Sequence, residues 1–277
     1  MKNAFPLLIL LAATQVASAC ENSLPLSGSA NVPVCEREGP GCRSATEVLY
    51  EYTQAQPDDP LTFGIALQSS PWRMYGADLR ILTVAELAGM LRPQLEPKHK
   101  RVELHGSWTG VAPSTTTPSL ATQLSRQLKG FPVTGMDGFL WMDSKGGMRT
   151  TRQAFTVRRG AGRYFVPTGK EVLVPLTVGW AAGLEDRFGP EDAEMMLLAG
   201  VGNDVFLLCP DGALADFEAG AKMGSAIAAY NAAQVRLSRN QAGDRAAALA
   251  LLERAKALGD AKAAAQLQGL RRVPAKK

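Results

Sequence analysis

The sequence predicts an α/β fold, a mixed sheet with flanking helices and added antiparallel hairpins, followed by an alanine-rich helical segment. Three observations support this. Strand-like and helix-like runs alternate over residues 61–141, β-rich runs broken by glycine follow to residue 175, and alanine dominates after Gly212. Alternating strands and helices are typical of a parallel or mixed sheet with helices packed on it.

The first 19 residues have the features of an export signal. Lys2 precedes an apolar run over residues 5–13 that is shorter than the roughly 20 residues of a membrane-spanning helix. Ala17 and Ala19 suit ordinary signal peptidase, whereas residues 17–20 resemble a bacterial lipobox, in which Cys20 would be lipidated. We therefore expect an exported protein that is either periplasmic or an outer-membrane-anchored lipoprotein.

All four cysteines follow this signal and would meet an oxidising compartment. Cys35 and Cys42 flank a short turn-rich segment and are the expected disulfide pair, although four cysteines allow three complete pairings. If Cys20 is lipidated, Cys209 is left over, and its apolar run indicates a buried thiol. No cysteine or histidine pair has the spacing of a zinc site, so no metal is expected.

Composition divides the chain after the signal into three parts. Residues 20–42 are an expected extended leader or tether, residues 43–210 an α/β domain and residues 211–277 a helical segment. The net charge is +4, and basic residues are scattered except in the C-terminal tail, so nucleic acid is not an expected partner. A dinucleotide-type glycine pattern is missing, and no cofactor is expected.

The α/β domain begins with a helix and contains one well-marked helix start. Thr83 and Glu86 form a capping box that opens a helix ended by Pro93. A second helix ends at Gly130 and has leucines at 120, 124 and 128 on one face. The remaining expected elements are a helix at 45–54 and strands at 61–67, 79–82, 102–104, 131–134 and 139–141.

The helical character returns near residue 189. We expect a helix through Leu198, a strand at 205–209, and then a series of helices. Gly259 suits the left-handed position after a helix end, and Asp260 suits the cap of the next helix. The expected helices of the series span residues 214–223, 225–238, 244–258 and 260–270.

Residues 228–270 resemble a Sel1-like or tetratricopeptide-type helical repeat. Small alanines let neighbouring helices approach closely in such repeats. The resemblance covers roughly one and a half repeats, and it implies contact with another protein. An alanine-rich helical hairpin that caps the domain is the alternative. The matching residues are Tyr230-Asn231-Ala232-Ala233, Gly243-Asp244, Ala247, Leu251-Leu252-Glu253-Arg254-Ala255 and Gly259-Asp260-Ala261.

The central α/β segment resembles the caspase-like domains attached to large bacterial toxins, without their Cys-His pair. In one alignment His105-Gly106 stands for the family's catalytic His-Gly, and the nucleophile position is then Thr134-Gly135. In the other, Ser107 replaces the cysteine, and the only upstream histidine is His99. The resemblance therefore implies a scaffold without peptidase chemistry. Its residues are 81–91, 102–110, 120–128 and 132–133.

The loop after the strand at 102–104 is the place where an α/β protein binds a ligand. Ser107 and His105 are two residues apart, which on a strand directs both side chains to one side, and Asp137 would complete a serine-hydrolase triad. The alternative is a polar strand end whose hydrogen bonds are satisfied. Trp108, which we expect to be exposed in this loop, and Trp141 are the candidate binding residues.

The favoured function is therefore non-enzymatic. We expect an exported adaptor, scaffold or immunity-type protein of the bacterial cell envelope that binds another protein. A periplasmic serine hydrolase that uses Ser107, His105 and Asp137 is the alternative.

Overall fold

The computed structural model of the protein describes residues 31–32, 45–152, 164–165, 171–173 and 192–272. The predicted export signal, Cys20, Cys35 and Cys42 of the predicted leader, and most of the predicted hairpin region lie outside these residues.

Eight helices occur in the part of the chain that the structure describes. Three belong to the N-terminal body, which we define as α1 to α3 with the strands, and five form the C-terminal bundle, α4 to α8. The helices are α1 (Ala45–Gln54), α2 (Val84–Leu91), α3 (Leu120–Gln127), α4 (Ala193–Val205), α5 (Pro210–Lys222), α6 (Ala226–Arg239), α7 (Asp244–Ala257) and α8 (Ala261–Arg272).

The strands form four small sheets, one parallel and three antiparallel. They are β1 (Asn31–Val32), β2 (Thr62–Ala66), β3 (Gln68–Ser69), β4 (Met74–Tyr75), β5 (Ile81–Leu82), β6 (Arg101–His105), β7 (Val133–Gly135), β8 (Phe139–Asp143), β9 (Met148–Thr151), β10 (Tyr164–Phe165) and β11 (Glu171–Leu173). The sheet orders are β1-β10, β11-β8-β9, β2-β6-β7 and β3-β4-β5. The predicted fold class is confirmed.

The parallel sheet has β6 at its centre. Thr62 of β2 pairs with Arg101 of β6, and Val102 of β6 pairs with Val133 of β7. Val102 and Leu104 are fully buried against α2 and α3. This packing explains why both helices carry a one-sided row of apolar residues.

The ends of α2 and α3 follow the predicted chemistry. Thr83 accepts a hydrogen bond from the Glu86 amide, and the Glu86 carboxylate accepts one from the Thr83 amide, so the capping box is confirmed. Ser119 caps α3 by accepting from the Thr122 amide at 3.2 Å. These caps satisfy N–H groups that a helix start leaves without partners.

The sheet β11-β8-β9 packs on α1. Gly146, in the turn between β8 and β9, has φ of +76°, and a Cβ there would lie 2.4 Å from the Gln56 amide nitrogen. Only glycine tolerates both the conformation and the contact. Tyr52, Leu140 and Met142 form a small core between α1 and β8.

The five helices of the bundle pack in sequence order, and their contacts depend on small side chains. Ala228, Ala232 and Ala248 are fully buried. A Cβ at Gly220 of α5 would lie 3.0 Å from the Ala228 Cβ of α6. The helix axes can therefore approach closely, as the alanine content predicts.

One apolar core joins the body to the bundle. From the body it contains Tyr75, Ile81, Trp108, Phe139 and Trp141, and the bundle side of the same cluster comes from α4, α5 and α6. The bundle is therefore packed on the body as part of one folded unit.

The prediction of a strand at residues 205–209 is wrong. Helix α4 extends to Val205, and after a short connection α5 begins at Pro210. Val205, Phe206 and Cys209 are buried because they cover the turn between two helices, which gives an apolar run without a strand. Proline fits the first turn of α5 because no hydrogen-bond partner is needed for its nitrogen there.

The helix junction near residue 259 agrees with the prediction. Gly259 has φ of +93°, and the Asp260 carboxylate accepts a hydrogen bond from the Ala263 amide at 2.8 Å.

Candidate functional site at the carboxyl end of the parallel sheet

The segment that follows β6, residues 106–110, is the candidate ligand loop, and we refer to it as the junction loop. Its two glycines lie against other backbone segments. A Cβ at Gly106 would be 2.5 Å from the Ser69 hydroxyl, and one at Gly110 would be 2.5 Å from the Gly135 carbonyl oxygen. The loop is therefore packed between the chain after β2 and the chain after β7.

Ser107 is buried, and its polar groups have partners within the protein. Its hydroxyl accepts a hydrogen bond from the Leu140 amide at 3.0 Å, and its carbonyl accepts one from the Ser69 hydroxyl at 2.8 Å. The side chain is 1% exposed. Ser107 thus ties the end of β6 to β8 and β3.

Thr109 closes a hydrogen bond within the same loop and connects the loop to two further segments. Its hydroxyl donates to the Gly106 carbonyl at 2.8 Å and accepts from the Met136 amide at 3.0 Å. Its own carbonyl accepts from the Ala121 amide of α3 at 2.9 Å. With 0% exposure, Thr109 has no access to a ligand.

The His105 ring lies beside Gly64 of β2 and Glu103 of its own strand. A Cβ at Gly64 of β2 would be 3.1 Å from the His105 ring. The Nε2 atom lies 3.3 Å from a Glu103 carboxylate oxygen and makes no hydrogen bond. The histidine therefore associates with Glu103 on its own strand.

Asp137 is exposed and bonded to β9. The Thr150 hydroxyl donates a hydrogen bond to its carboxylate, and the Arg152 guanidinium lies 3.8 Å away. The Thr150 hydrogen bond is the main cause of a lowered pKa of Asp137; burial opposes it, and the positive charge of Arg152 adds to it.

The three residues of the alternative triad are thus engaged separately, and none of their described hydrogen bonds joins one to another. Strand β6 ends at His105, so the strand alternation on which the expected common side of Ser107 and His105 depends does not extend to Ser107. The polar strand end with satisfied hydrogen bonds, the other interpretation of the sequence, describes Ser107.

Trp108 corrects an expectation, because it is buried rather than exposed. Its side chain is 8% exposed, belongs to the core shared with the bundle, and meets the Phe139 ring edge-on at 5.3 Å between centroids. Its φ of +66°, unusual for a bulky residue, directs the indole inward. The polar residues around it in sequence gave no sign of this conformation.

Trp141 is also a core residue. It is 4% exposed, and its Nε1 donates to the Thr151 hydroxyl at 2.7 Å across the β8-β9 pair. The Arg149 guanidinium lies over the ring at 5.2 Å from the centroid. Both tryptophans therefore pack the protein's interior, where a partner cannot reach them.

The polar residues that sequence reasoning missed lie where the bundle meets the body. Asp204 of α4 is 0% exposed, and its carboxylate accepts hydrogen bonds from Tyr75 at 2.7 Å and from Ser70 at 2.8 Å. The guanidinium of Arg73 binds both carboxylate oxygens, with its Nε at 3.0 Å from Oδ2. We refer to Arg73 and Asp204 as the buried ion pair, and to Ser70 and Tyr75 as its hydroxyl partners.

Burial and the neighbouring charges determine the protonation states of Tyr75 and Arg73. Burial, together with the negative charge of Asp204, raises the pKa of the Tyr75 hydroxyl well above its usual value. Burial alone would lower the pKa of Arg73, but the adjacent Asp204 carboxylate more than offsets this and the pKa rises. Tyr75 therefore remains a hydrogen-bond donor, and Arg73 remains charged.

Two more polar contacts join the bundle to the hairpin between β4 and β5. The Asn231 side chain of α6 donates to the Leu79 carbonyl at 2.9 Å and accepts from the Ile81 amide at 2.8 Å. Arg80 forms an ion pair with Asp260 at 3.0 Å and lies over the Tyr230 ring. Three of these residues, Tyr230, Asn231 and Asp260, are among those of the repeat resemblance.

A weak signal for these contacts exists in the sequence. Asp204 is the single charged residue in the stretch 196–209, which is apolar except for Asp204 and Asn203, and Asn231 interrupts an alanine-rich run. Acids and amides in such positions are seldom buried without a partner. The identity of the partners, more than 125 residues away in the chain, has no such signal.

Cys209 corrects a second expectation. It is buried, at 7% exposure, but it is disulfide-bonded and is not a thiol. Its partner lies outside the described residues, because the other cysteines of the chain are at positions 20, 35 and 42. Cys209 is the N-cap residue of α5, so although it is buried in an apolar run, it lies at a turn of the chain and can form a disulfide there.

Two further properties concern only the described part of the chain. No cluster of three or more histidine, cysteine, aspartate or glutamate side chains is arranged there to hold a metal ion. None of the helices described is both long and apolar enough to cross a membrane.

A protein-family model described as "Domain of unknown function (DUF8616)" matches residues 41–150. The matched region contains α1 to α3, β2 to β8 and most of β9, which includes the parallel sheet and the junction loop, and it ends before the bundle. Comparison with curated proteins and with solved structures found no match.

Proposed function

We propose that the protein is an exported, non-enzymatic interaction protein of the bacterial cell envelope that binds another protein through its helical bundle. The observation that carries the proposal is the outer face of α8. This face consists of the exposed residues Ala261, Lys262, Ala265, Gln268 and Gly269, and we refer to it as the end face.

The end face has the composition of the helix contacts inside the bundle. Ala263 and Leu267 are buried against the preceding helices, while Ala261, Ala265 and Gly269 recur every fourth residue on the opposite side. A Cβ at Gly269 would have no atom within 4 Å, so space is open there. A partner helix can approach such a surface as closely as α6 approaches α5.

The repeat resemblance supports the same assignment. Sel1-like and tetratricopeptide-type repeats bind proteins and stack helix on helix, and fewer than about three repeats need additional support. In this chain the body supplies support through the shared core and the buried ion pair. The hydroxyl groups of Ser107 and Thr109 in the junction loop make hydrogen bonds within the protein. Their engagement there supports a binding function more than an enzymatic one.

Export is the second part of the proposal. The N-terminal pattern is that of a signal peptide, and Cys209 is disulfide-bonded. Disulfides persist in oxidising compartments such as the periplasm and are rare in the cytosol. We therefore place the partner in the cell envelope as well.

A photo-crosslinking amino acid at position 265 tests the binding surface in cells. We expect a crosslink to one defined envelope protein, and we expect Ala265→Trp to reduce co-purification of that protein at least about tenfold, because a large side chain prevents close helix approach. Ala215→Trp, an exposed alanine of α5, is the matched control and should leave recovery unchanged. Equal recovery of the partner with both variants, or no recovery with the wild type, would contradict the proposal. Labelling of Ser107 by a fluorophosphonate, which reacts with catalytic serines, would also contradict it.

A further inference from the structure

We infer that Cys20 is joined to Cys209 by a disulfide, so that the mature N-terminus is bonded covalently to the bundle and carries no lipid. This inference rests on the proposed export of the protein, and it goes beyond that proposal by assigning the chemistry of Cys20. It removes one of the two locations that the sequence allows.

The bonded sulfur of Cys209 lies in a tightly packed position. Cys209 is the N-cap residue of α5, and a Cβ at Gly212 would lie 2.9 Å from its Sγ. Its side chain is 7% exposed. A buried sulfur in a closely packed turn is typical of a structural disulfide and not of a reactive, exchanging one.

The count of cysteines connects this bond to the lipid question. Lipidation would convert the Cys20 thiol into a thioether, and a thioether sulfur cannot form a disulfide. Three cysteines would then remain, and since Cys209 is bonded to one of them, the third would be left unpaired. An odd thiol in an exported protein either reacts or pairs with another molecule. All four cysteines pair within one chain only if Cys20 takes part.

The choice of partner follows from loop length. Cys35 and Cys42 are close in sequence and close the shortest loop, which leaves Cys20 for Cys209. Between Cys20 and Cys35 in the chain, Asn31 and Val32 form an antiparallel strand pair with Phe165 and Tyr164, so the chain pairs with a distant segment at this point.

The bond forms by oxidation of two thiols. The Cys20 and Cys209 sulfurs lose two protons and two electrons in total, and a dithiol–disulfide oxidant of the compartment is reduced to its dithiol. Signal peptidase cleavage after Ala19 leaves Cys20 as the first residue, with its thiol free for this reaction. No acyl donor takes part.

Peptide mapping of the full-length protein, purified from cell envelopes without reductant, is the direct test. We expect a crosslinked peptide that contains Cys20 and Cys209, a second that contains Cys35 and Cys42, and an N-terminal mass without acyl chains. An acylated Cys20, a different pairing, or a free thiol would each overturn the inference. Mapping is independent of partner binding, so a protein with the expected bonds and no partner would refute only the binding part of the proposed function.

Single and double variants provide a second measurement that does not require mapping. Cys20→Ser and Cys209→Ser should each lower the Tm by roughly 5 to 15 °C, and the double variant should lose no more than either single variant. Cys20→Ser should still be cleaved and should remain in the soluble envelope fraction. If Cys20→Ser blocks processing or moves the protein out of the membrane fraction, Cys20 is a lipid attachment site and the inference fails.

Discussion

Replacement of Asp204 by alanine is expected to lower the free energy of unfolding by about 3 to 5 kcal/mol. The carboxylate is fully buried and is the only described counter-charge bonded to Arg73, which is itself 6% exposed. Without Asp204 the guanidinium remains buried and uncompensated, and the hydroxyl groups of Ser70 and Tyr75 lose their acceptor. Equilibrium unfolding in urea measures the change.

Two companion variants separate this effect from a general loss of charge. Asp211→Ala removes an acid whose side chain is 76% exposed and 3.6 Å from Arg239, and it should change stability by less than about 0.5 kcal/mol. Combining Asp204→Leu with Arg73→Met removes both charges and should recover part of the loss, because apolar replacements of buried pairs are often tolerated. If Asp204→Ala unfolds at the wild-type midpoint, the ion pair does not hold the bundle on the body.

Asn231→Ala is expected to cost about 2 to 4 kcal/mol, the second largest effect. The amide satisfies the Leu79 carbonyl and the Ile81 amide, and each becomes a polar group without a partner when the side chain is removed. Leu79 also has φ of +61°, a strained conformation that its surroundings must maintain. Urea unfolding again gives the magnitude.

Asn231→Asp provides a further comparison. Aspartate keeps the acceptor for the Ile81 amide but cannot donate to the Leu79 carbonyl, and it adds a buried charge, so we expect destabilisation here as well. The matched control is Gln268→Ala, an exposed amide on α8, which should be neutral within about 0.5 kcal/mol. A neutral Asn231→Ala would show that the hairpin does not depend on the bundle.

The elements with local signals could be predicted from the sequence. The capping box of Thr83 and Glu86, the leucine row of α3 and the Gly259 junction depend on residues within one or two helical turns, and the structure contains all three. The sequence could not show that residues 205–209 form no strand, because an apolar run has the same residue pattern whether it belongs to a sheet or covers the turn between two helices.

The candidate site was less predictable because its geometry depends on distant segments. Ser107 binds Leu140, and the direction of Trp108 is set by a left-handed backbone conformation and by the core it shares with the bundle. Neither is encoded by spacing near residue 105. Asp204 and Asn231, the residues that fix the bundle, are recognisable as unusual polar residues, but their partners lie in another part of the chain.

The body and the bundle are one folded unit, with the junction loop buried inside it. Urea unfolding followed by two probes distinguishes one cooperative unit from two independent ones. The described tryptophans Trp72, Trp108 and Trp141 belong to the body, whereas the bundle contributes the longer helices to the circular dichroism at about 222 nm. We predict coincident transitions for fluorescence and circular dichroism, both shifted together to lower urea in Asp204→Ala. Two separate transitions in the wild type would show instead that the body and the bundle unfold independently.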